Sequence, residues 1–238
     1  MRRSVPLLLA SALFVCASCA QPEEVRATQS LDGATPAPHK PAPTPTGPRI
    51  VFLGDSLTAG YGLPKEASVP ALIQNRLREA GYPHEVVNAG VSGDTSAGGL
   101  SRLEWSLTGD VRILVIELGA NDGLRGLPVA ALKQNLAEII TRARARGISV
   151  VLTGMEAPPN FGAAYTSEFR AVYRQLAREH EVAFVPFYLE GVAGIASMNI
   201  ADGIHPNAEG SLVIEQTIWS ALEPLLATGA ADRKNRGR

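Results

Sequence analysis

The chain has 238 residues, of which 45% are hydrophobic and 19% charged, and its net charge is −1. This length and composition are typical of one globular domain with appended segments. The near-neutral charge and the aromatic content of only 5% argue against a nucleic-acid-binding surface and against attraction to anionic membranes.

Residues 1–20 have the features of an export signal. Two arginines precede an apolar stretch, residues 5–17, that is too short to span a bilayer as a stable helix. One interpretation is cleavage after Ala20. The other is a lipoprotein signal, because the sequence that ends at Cys19 resembles a bacterial lipobox, although Cys16 stands where that motif usually has an aliphatic residue. Both interpretations predict an exported protein, either free in the bacterial periplasm or anchored to the membrane through a lipid on Cys19.

Three further segments follow the signal. Residues 21–48 are rich in Pro, Ala and Thr without apolar periodicity, which predicts an extended, disordered linker. Residues 49–228 form the predicted folded domain, which contains no cysteine and therefore no disulfide. Residues 229–238 are basic and are predicted to be a disordered tail.

Short apolar runs alternate with helical patterns through the predicted domain. The strands are predicted at residues 50–53, 85–88, 111–118, 148–153 and 183–185, and the helices at residues 69–80, 97–107, 129–146, 166–180 and 207–226. This alternation predicts an α/β fold, a doubly wound, flavodoxin-like α/β/α sandwich around a parallel five-stranded sheet. Active sites in such sheets lie beyond the carboxyl ends of the strands.

Ser56 is the candidate nucleophile, because it follows the first predicted strand by a few residues and has Gly54 before it. A single serine in this position is more often a turn or capping residue, so the motif needs support from elsewhere in the chain. Thr58 occupies the second glycine position of a Gly-x-Ser-x-Gly elbow, which disfavours the α/β-hydrolase fold.

The candidate base is found by comparing the four histidines. His39 lies in the proline-rich linker, His84 precedes the second strand and His180 ends a helix. Only His205 lies in a Gly/Pro/Asn loop after the last strand with a carboxylate, Asp202, three residues before it. The alternative is a helix-flanking histidine hydrogen-bonded to Asp202 without a catalytic role.

Two other strand ends carry candidate donors for an oxyanion. Gly93 follows the second strand and has no side chain to shield its backbone N–H, and Asn121 follows the third strand with a side-chain amide. A turn is the alternative for the Asn-Asp-Gly sequence at residues 121–123.

Together these motifs resemble the GDSL or SGNH hydrolase family, in the branch of thioesterases, lysophospholipases and arylesterases. The resemblance rests on Gly54-Asp55-Ser56-Leu57, Gly93, Gly119-x-Asn121-Asp122 and Asp202-x-x-His205. It implies Ser56 as nucleophile, His205 as general base and then acid, and Asp202 as the group that orients His205. It also implies an oxyanion hole formed by the backbone N–H groups of Ser56 and Gly93 and the Asn121 amide.

The expected function is therefore hydrolysis of acyl esters through an acyl-enzyme at Ser56. The expected substrate is a small-molecule or lipid ester, and an exported enzyme is better suited to lysophospholipids or small esters than to acyl-CoA. Apolar loops at residues 124–128 and 155–162 are candidate walls of an acyl pocket. No cofactor, metal or nucleic acid is expected, and the oligomeric state is left open.

Two alternatives accompany this expectation. The first is an O-acetyl esterase of carbohydrates with the same fold, although the chain has few aromatic residues for stacking on sugars. The second is a non-catalytic, flavodoxin-like ligand-binding module. The chain contains no Gly-x-x-x-x-Gly-Lys-Ser/Thr loop for a phosphate ligand.

Overall fold

The structure, a computed structural model, describes the backbone of residues 47–236 and the side chains of residues 47–226. The predicted export signal, the candidate lipidation site Cys19 and nearly all of the predicted linker lie outside the described residues. Within the described part, no helix is both long enough and apolar enough to cross a membrane.

Five parallel strands form a single sheet in the order β2-β1-β3-β4-β5. The strands are β1 (Arg49–Gly54), β2 (Glu85–Gly90), β3 (Val111–Glu117), β4 (Ser149–Thr153) and β5 (Ala183–Val185). The central strands are apolar along their length because helices cover both faces of the sheet. In β1, for example, residues 50–53 are fully buried. The predicted α/β fold with a five-stranded parallel sheet is confirmed.

Eight helices accompany the sheet in the described residues. They are α1 (Ser56–Ala59), α2 (Val69–Glu79), α3 (Ser96–Ser101), α4 (Leu103–Ser106), α5 (Ala120–Leu124), α6 (Val129–Ala145), α7 (Ala163–Glu179) and α8 (Ala208–Arg236). Helix α2 packs against α8, whereas α6 packs against α3 and α7. These are the two outer layers expected when right-handed crossovers wind a sheet of this strand order in both directions.

The region predicted as one helix at residues 97–107 is divided into α3 and α4 at Arg102. Gly98 and Gly99 lower the helix propensity just before the break. The Arg102 guanidinium also binds groups on the sheet: it donates to the carbonyls of Gly54 (2.8 Å) and Ala89 (2.7 Å). These contacts are distant along the chain, so local periodicity could not reveal the break.

The last helix extends further than the sequence predicted. The prediction ended it at residue 226 and assigned residues 229–238 to a disordered tail, but α8 continues to Arg236. Residues 227–236 contain no proline and include three alanines, the strongest helix former, which offset the low helix propensity of Gly229. Residues 237–238 lie outside the described part.

Candidate active site

Ser56 is the first residue of α1, immediately beyond the carboxyl end of β1. The preceding residue, Asp55, caps this short helix by accepting a hydrogen bond from the Leu57 N–H at 3.0 Å. Helix α1 rests closely on the end of β2, where a side chain at Gly90 would place its Cβ 2.3 Å from the backbone nitrogen of Ala59. The serine is therefore held on a tight strand-to-helix turn, with its side chain half-buried.

His205 and Asp202 lie in a compact loop before α8. Asp202 Oδ1 accepts hydrogen bonds from the backbone N–H groups of Ile204 and His205, each at 3.0 Å. Gly203 has a φ of +75°, a left-handed conformation that glycine adopts readily. The loop is thus shaped by Asp202 itself, which folds the chain around its own carboxylate.

The Asp202, His205 and Ser56 side chains form a continuous hydrogen-bonded chain. Asp202 Oδ2 lies 2.7 Å from His205 Nδ1, and His205 Nε2 lies 2.8 Å from Ser56 Oγ. The two backbone donors and then the imidazole lower the pKa of Asp202 to about 2, so its carboxylate is ionised at neutral pH. Such a chain can remove the serine proton during attack on a carbonyl carbon.

Asn121 lies near Ser56, in the first turn of α5. Its Nδ2 donates to Asp55 Oδ2 at 3.1 Å, which leaves the second N–H of this amide available. The turn begins at Gly119, whose φ is +118° and where a Cβ would lie 2.0 Å from the Tyr173 hydroxyl oxygen. That hydroxyl donates to the Leu118 carbonyl at 3.0 Å. Only glycine fits this position without displacing the Tyr173 ring.

The backbone N–H groups of Ser56 and Gly93 have no acceptor within the described part of the chain. Ser56 is the first residue of a helix, so its N–H has no intrahelical partner. Gly93 has a φ of +86° and lies in an exposed loop after β2, and its carbonyl accepts from Arg125 at 2.9 Å. Both N–H groups are therefore free to bind a ligand oxygen.

Asp122 connects the loop that carries Gly93 to the loop that carries Asn121. Its two carboxylate oxygens accept from the Ser96 N–H at 2.8 Å and the Ser96 hydroxyl at 2.6 Å. Asn135 of α6 also donates to that hydroxyl at 2.9 Å. The relative position of the predicted oxyanion donors thus depends on a buried polar contact.

The other histidines lie away from this site. His84 precedes β2 and His180 precedes β5, so both are at the amino edge of the sheet, whereas the Ser56 turn is at the carboxyl edge. His39 lies outside the described residues. The structure therefore places His205 alone, among the described histidines, beside Ser56.

Three neighbours of the site carried no interpretable pattern in the sequence. Tyr61 packs its ring on the His205 imidazole, with ring centroids 4.6 Å apart. Arg125 holds the Gly93 loop, as described above. Glu117 was visible only as an acid at the end of an apolar strand, and that position gave no indication of its contacts with residues 55 and 58.

A largely apolar cleft of about 790 Å³ opens beside Ser56 and His205. Its walls include Leu124 and Met155, which belong to the loops predicted as pocket walls, and also Phe187 and Leu189. Large apolar side chains remain exposed around the opening, among them Tyr61, Leu124 and Ile204. The cleft can hold an apolar chain next to the reacting groups.

In the portion of the chain with described side chains, no group of three or more His, Cys, Asp or Glu residues is placed to hold a metal ion. The groups that the site presents are a hydroxyl, an imidazole, a carboxylate and several N–H donors.

Residues 52–212 match the model of the GDSL-like lipase/acylhydrolase family. The chain belongs to this family. The match includes Ser56, Gly93, Asn121, Asp202 and His205, and thus all the residues around which the site is built.

Named relatives agree with this assignment. The chain is 47% identical over 178 residues to "Esterase TesA" of Pseudomonas aeruginosa, a match that covers 74% of this chain and 89% of the relative. It is 40% identical to "Arylesterase" of Vibrio mimicus (73% and 88% covered) and 37% identical to "Thioesterase 1/protease 1/lysophospholipase L1" of Escherichia coli K12 (74% and 84% covered).

A solved structure described as "Crystal Structure of TesA" superposes with a TM-score of 0.71 at 46% identity, covering 75% of this chain and 99% of that one. The family, its named esterases and the shared fold establish this GDSL-family chain as a serine esterase, a hydrolase of ester bonds.

Proposed function

We propose that Ser56 is the nucleophile of this esterase, that His205 is its general base and acid, and that Asp202 orients His205. The observation that carries the proposal is the unbroken chain of contacts from Asp202 through His205 to Ser56, at 2.7 and 2.8 Å. These distances lie within the range in which a proton can pass between the imidazole and the hydroxyl.

The reaction proceeds in two halves. Ser56 Oγ attacks the carbonyl carbon while His205 Nε2 takes the hydroxyl proton, and the tetrahedral oxyanion is bound by the N–H groups of Ser56, Gly93 and Asn121. The intermediate collapses, and the alcohol leaves with the proton from His205. Water, activated by His205, then attacks the acyl-enzyme and releases the carboxylic acid and free Ser56.

The cleft supports substrates with an apolar acyl or aryl group, such as aryl esters and lysophospholipids. Its lining combines Ser56, Asn121 and His205 with apolar side chains, so an acyl chain can bind in the cleft while its carbonyl faces the N–H donors. The names of the relatives, an arylesterase and a thioesterase/lysophospholipase, fit the same range. The acetyl group of a carbohydrate O-acetyl ester would occupy only a small part of this apolar volume.

The proposal is tested with Ser56→Ala and a series of p-nitrophenyl esters from acetyl to palmitoyl, with lysophospholipid alongside. Replacement of the nucleophile typically lowers kcat by about 10⁶-fold, so the variant should show no turnover above background. A fluorophosphonate probe should label the native enzyme and not the variant. Equal turnover by the two proteins, or native enzyme that resists the probe, contradicts the assignment and favours a binding module.

The proposed location is outside the cytoplasm, through the export signal at residues 1–20. Support comes from the sequence alone, since the charged start, the short apolar stretch and the small residues before Gln21 form the pattern of such a signal. Mass spectrometry of the mature protein should find either a chain that begins at Gln21 or an acylated Cys19. Recovery of the intact chain that begins at Met1 would contradict export by this signal.

A further inference from the structure

Two carboxyl groups lie buried directly beneath the nucleophile, and the reaction described above uses neither of them. Asp55 joins β1 to α1, and Glu117 is the last residue of β3. The register of the sheet pairs Glu117 with Gly54, so the two acids are neighbours at the same edge. Both residues are completely buried. Buried acids are costly unless hydrogen bonds or protons compensate them.

The Asp55 carboxylate connects two parts of the oxyanion site. Oδ1 accepts from the Leu57 N–H at 3.0 Å and thereby caps the turn that carries Ser56. Oδ2 accepts from Asn121 Nδ2 at 3.1 Å. The second contact fixes which end of the Asn121 amide is the nitrogen, and so directs its remaining N–H.

Glu117 holds Asp55 and the helix from below. Its Oε2 accepts from the Thr58 hydroxyl at 2.8 Å and from the Asp55 N–H at 3.3 Å. Its other oxygen, Oε1, is buried and has no hydrogen-bond partner among the described residues. An ionised carboxylate would leave charge on that oxygen without a donor, whereas a neutral acid costs less because an unpaired polar atom is cheaper to bury than an unpaired charge.

The surroundings favour one negative charge on the pair rather than two. Neither acid forms a salt bridge with any described residue. The titratable groups that face the pair are the phenols of Tyr173 and Tyr188, whose pKa values burial raises, and His205. Burial also raises the pKa of Asp55 to about 6 and that of Glu117 well above its usual range.

We infer that Asp55 and Glu117 are a positioning pair that holds one proton: Glu117 is neutral, and ionised Asp55 aligns the Asn121 amide and the Ser56 turn to receive the oxyanion. This inference rests on the proposed function of Ser56, Asn121 and His205. In the pair, Glu117 is the acid that supports Asp55, and neither residue contacts the substrate.

The first test is a double-mutant cycle between Asp55→Asn and Asn121→Ala. An asparagine at position 55 offers one acceptor to two donors, so the Asn121 amide loses its fixed orientation. Loss of one oxyanion donor costs about 10²–10³-fold in kcat, and we expect D55N to lose about 10- to 100-fold with KM changed less than about threefold. In the N121A background D55N should cost less than about fivefold more. The inference would be overturned by an unchanged kcat in D55N. It would also be overturned if the kcat loss of the double variant equalled the product of the losses of D55N and N121A.

The second test concerns the proton. Glu117→Gln keeps an acceptor for Thr58 and is neutral, so it should recover most of the kcat that Glu117→Leu loses. The matched control is Glu215→Gln, which alters another buried glutamate, one of α8 that binds Arg76 of α2, and should leave kcat unchanged. If E117Q and E117L lose kcat equally while both remain folded, the positioning role is wrong.

A spectroscopic measurement covers the case in which a variant does not fold. The infrared spectrum of the native enzyme at neutral pH, where exposed carboxylates are ionised, should contain the carbonyl stretch of a protonated carboxylic acid. Absence of that band means that Glu117 is ionised and overturns the inference. Failure of S56A to lose activity would instead overturn the proposed function, so the two failures are distinguishable.

Discussion

At the scale of single residues, the Asp202 side chain has two tasks: it shapes its own loop and it orients the His205 imidazole. One carboxylate oxygen binds two backbone N–H groups, and the other binds the imidazole. The direction of the His205 ring is therefore set by the same group that shapes its loop. A carboxylate used in this way needs no burial, and Asp202 is in fact exposed.

Replacement of Asp202 by Asn separates these two tasks. An asparagine keeps an acceptor for the loop, but its amide nitrogen then faces His205 Nδ1 and favours the tautomer that cannot accept the Ser56 proton. We expect kcat to fall by about 10³-fold or more while the melting temperature changes little. Steady-state kinetics with p-nitrophenyl acetate measure kcat, and a thermal melt measures the melting temperature. A kcat within about tenfold of the native value, which corresponds in free energy to about one pKa unit, would contradict the role.

The shifted pKa values of two aspartates predict opposite dependences of stability on pH. Asp55 has its pKa raised from 3.8 to about 6, so its contribution to stability is full at low pH and is lost as the pH rises through about 6. Asp202 has its pKa lowered to about 2, so its contribution is lost as the pH falls toward that value. Urea unfolding between about pH 4 and 7 should show native stability declining more steeply than that of D55N. Parallel curves would contradict the Asp55 shift.

At the scale of elements, Arg102 joins the ends of two strands to the helical segment after them. Its guanidinium donates to the Gly54 and Ala89 carbonyls and to Asp94 Oδ2, the last at 2.6 Å. Because parallel strands end side by side, one planar group with several donors can serve both. The loops that carry Ser56 and Gly93 therefore share one anchor.

Arg102→Met should lower the free energy of unfolding by about 2–4 kcal/mol, because it leaves Asp94 and two carbonyls without their donor. The matched control is Arg112→Met, which removes an exposed ion pair with Asp110 and should cost less than about 1 kcal/mol. Equal losses for the two variants, measured by urea unfolding, would show that the Arg102 contacts add nothing beyond a surface pair.

The elements that the sequence predicted well are those with a strong local pattern. The buried strands are continuous apolar runs, and helices such as α6 show a full amphipathic period, so their positions were predicted to within a few residues. Helices α1 and α5 were missed because four or five residues contain too little periodicity. The break at Arg102 and the contacts of Glu117 depend on partners far along the chain, which local patterns do not encode.

At the scale of the whole molecule, much of the exposed apolar surface of the described residues lies near one opening, although Trp105 and Leu212 are exposed outside its lining. Tyr61, Leu124 and Ile204, each about half exposed, line the cleft, and Val91 and Ile195 lie beside lining residues in the sequence. Contiguous apolar surface around a pocket commonly marks a binding site for apolar ligands. This distribution agrees with an ester substrate that carries a long apolar group.

A chain shortened to begin at Gly47 should retain the kcat and the melting temperature of the longer protein. The described fold starts at β1, and the composition of residues 21–48 predicts a linker without a core. As a control, a chain that begins at Val51 loses Arg49, which binds Glu85 at 3.1 Å and the Thr108 carbonyl at 3.2 Å, and should melt earlier. Loss of activity in the first shortened chain would show that the linker contributes to the site.

The direction of β1 has a practical consequence for handling the enzyme. The chain enters this strand at the amino edge of the sheet, and Ser56 follows at the opposite edge. An affinity tag or a resin attached ahead of Gly47 is therefore bonded to the far side of the molecule from the cleft. Immobilisation through that end leaves the opening accessible to bulky esters in the surrounding solution.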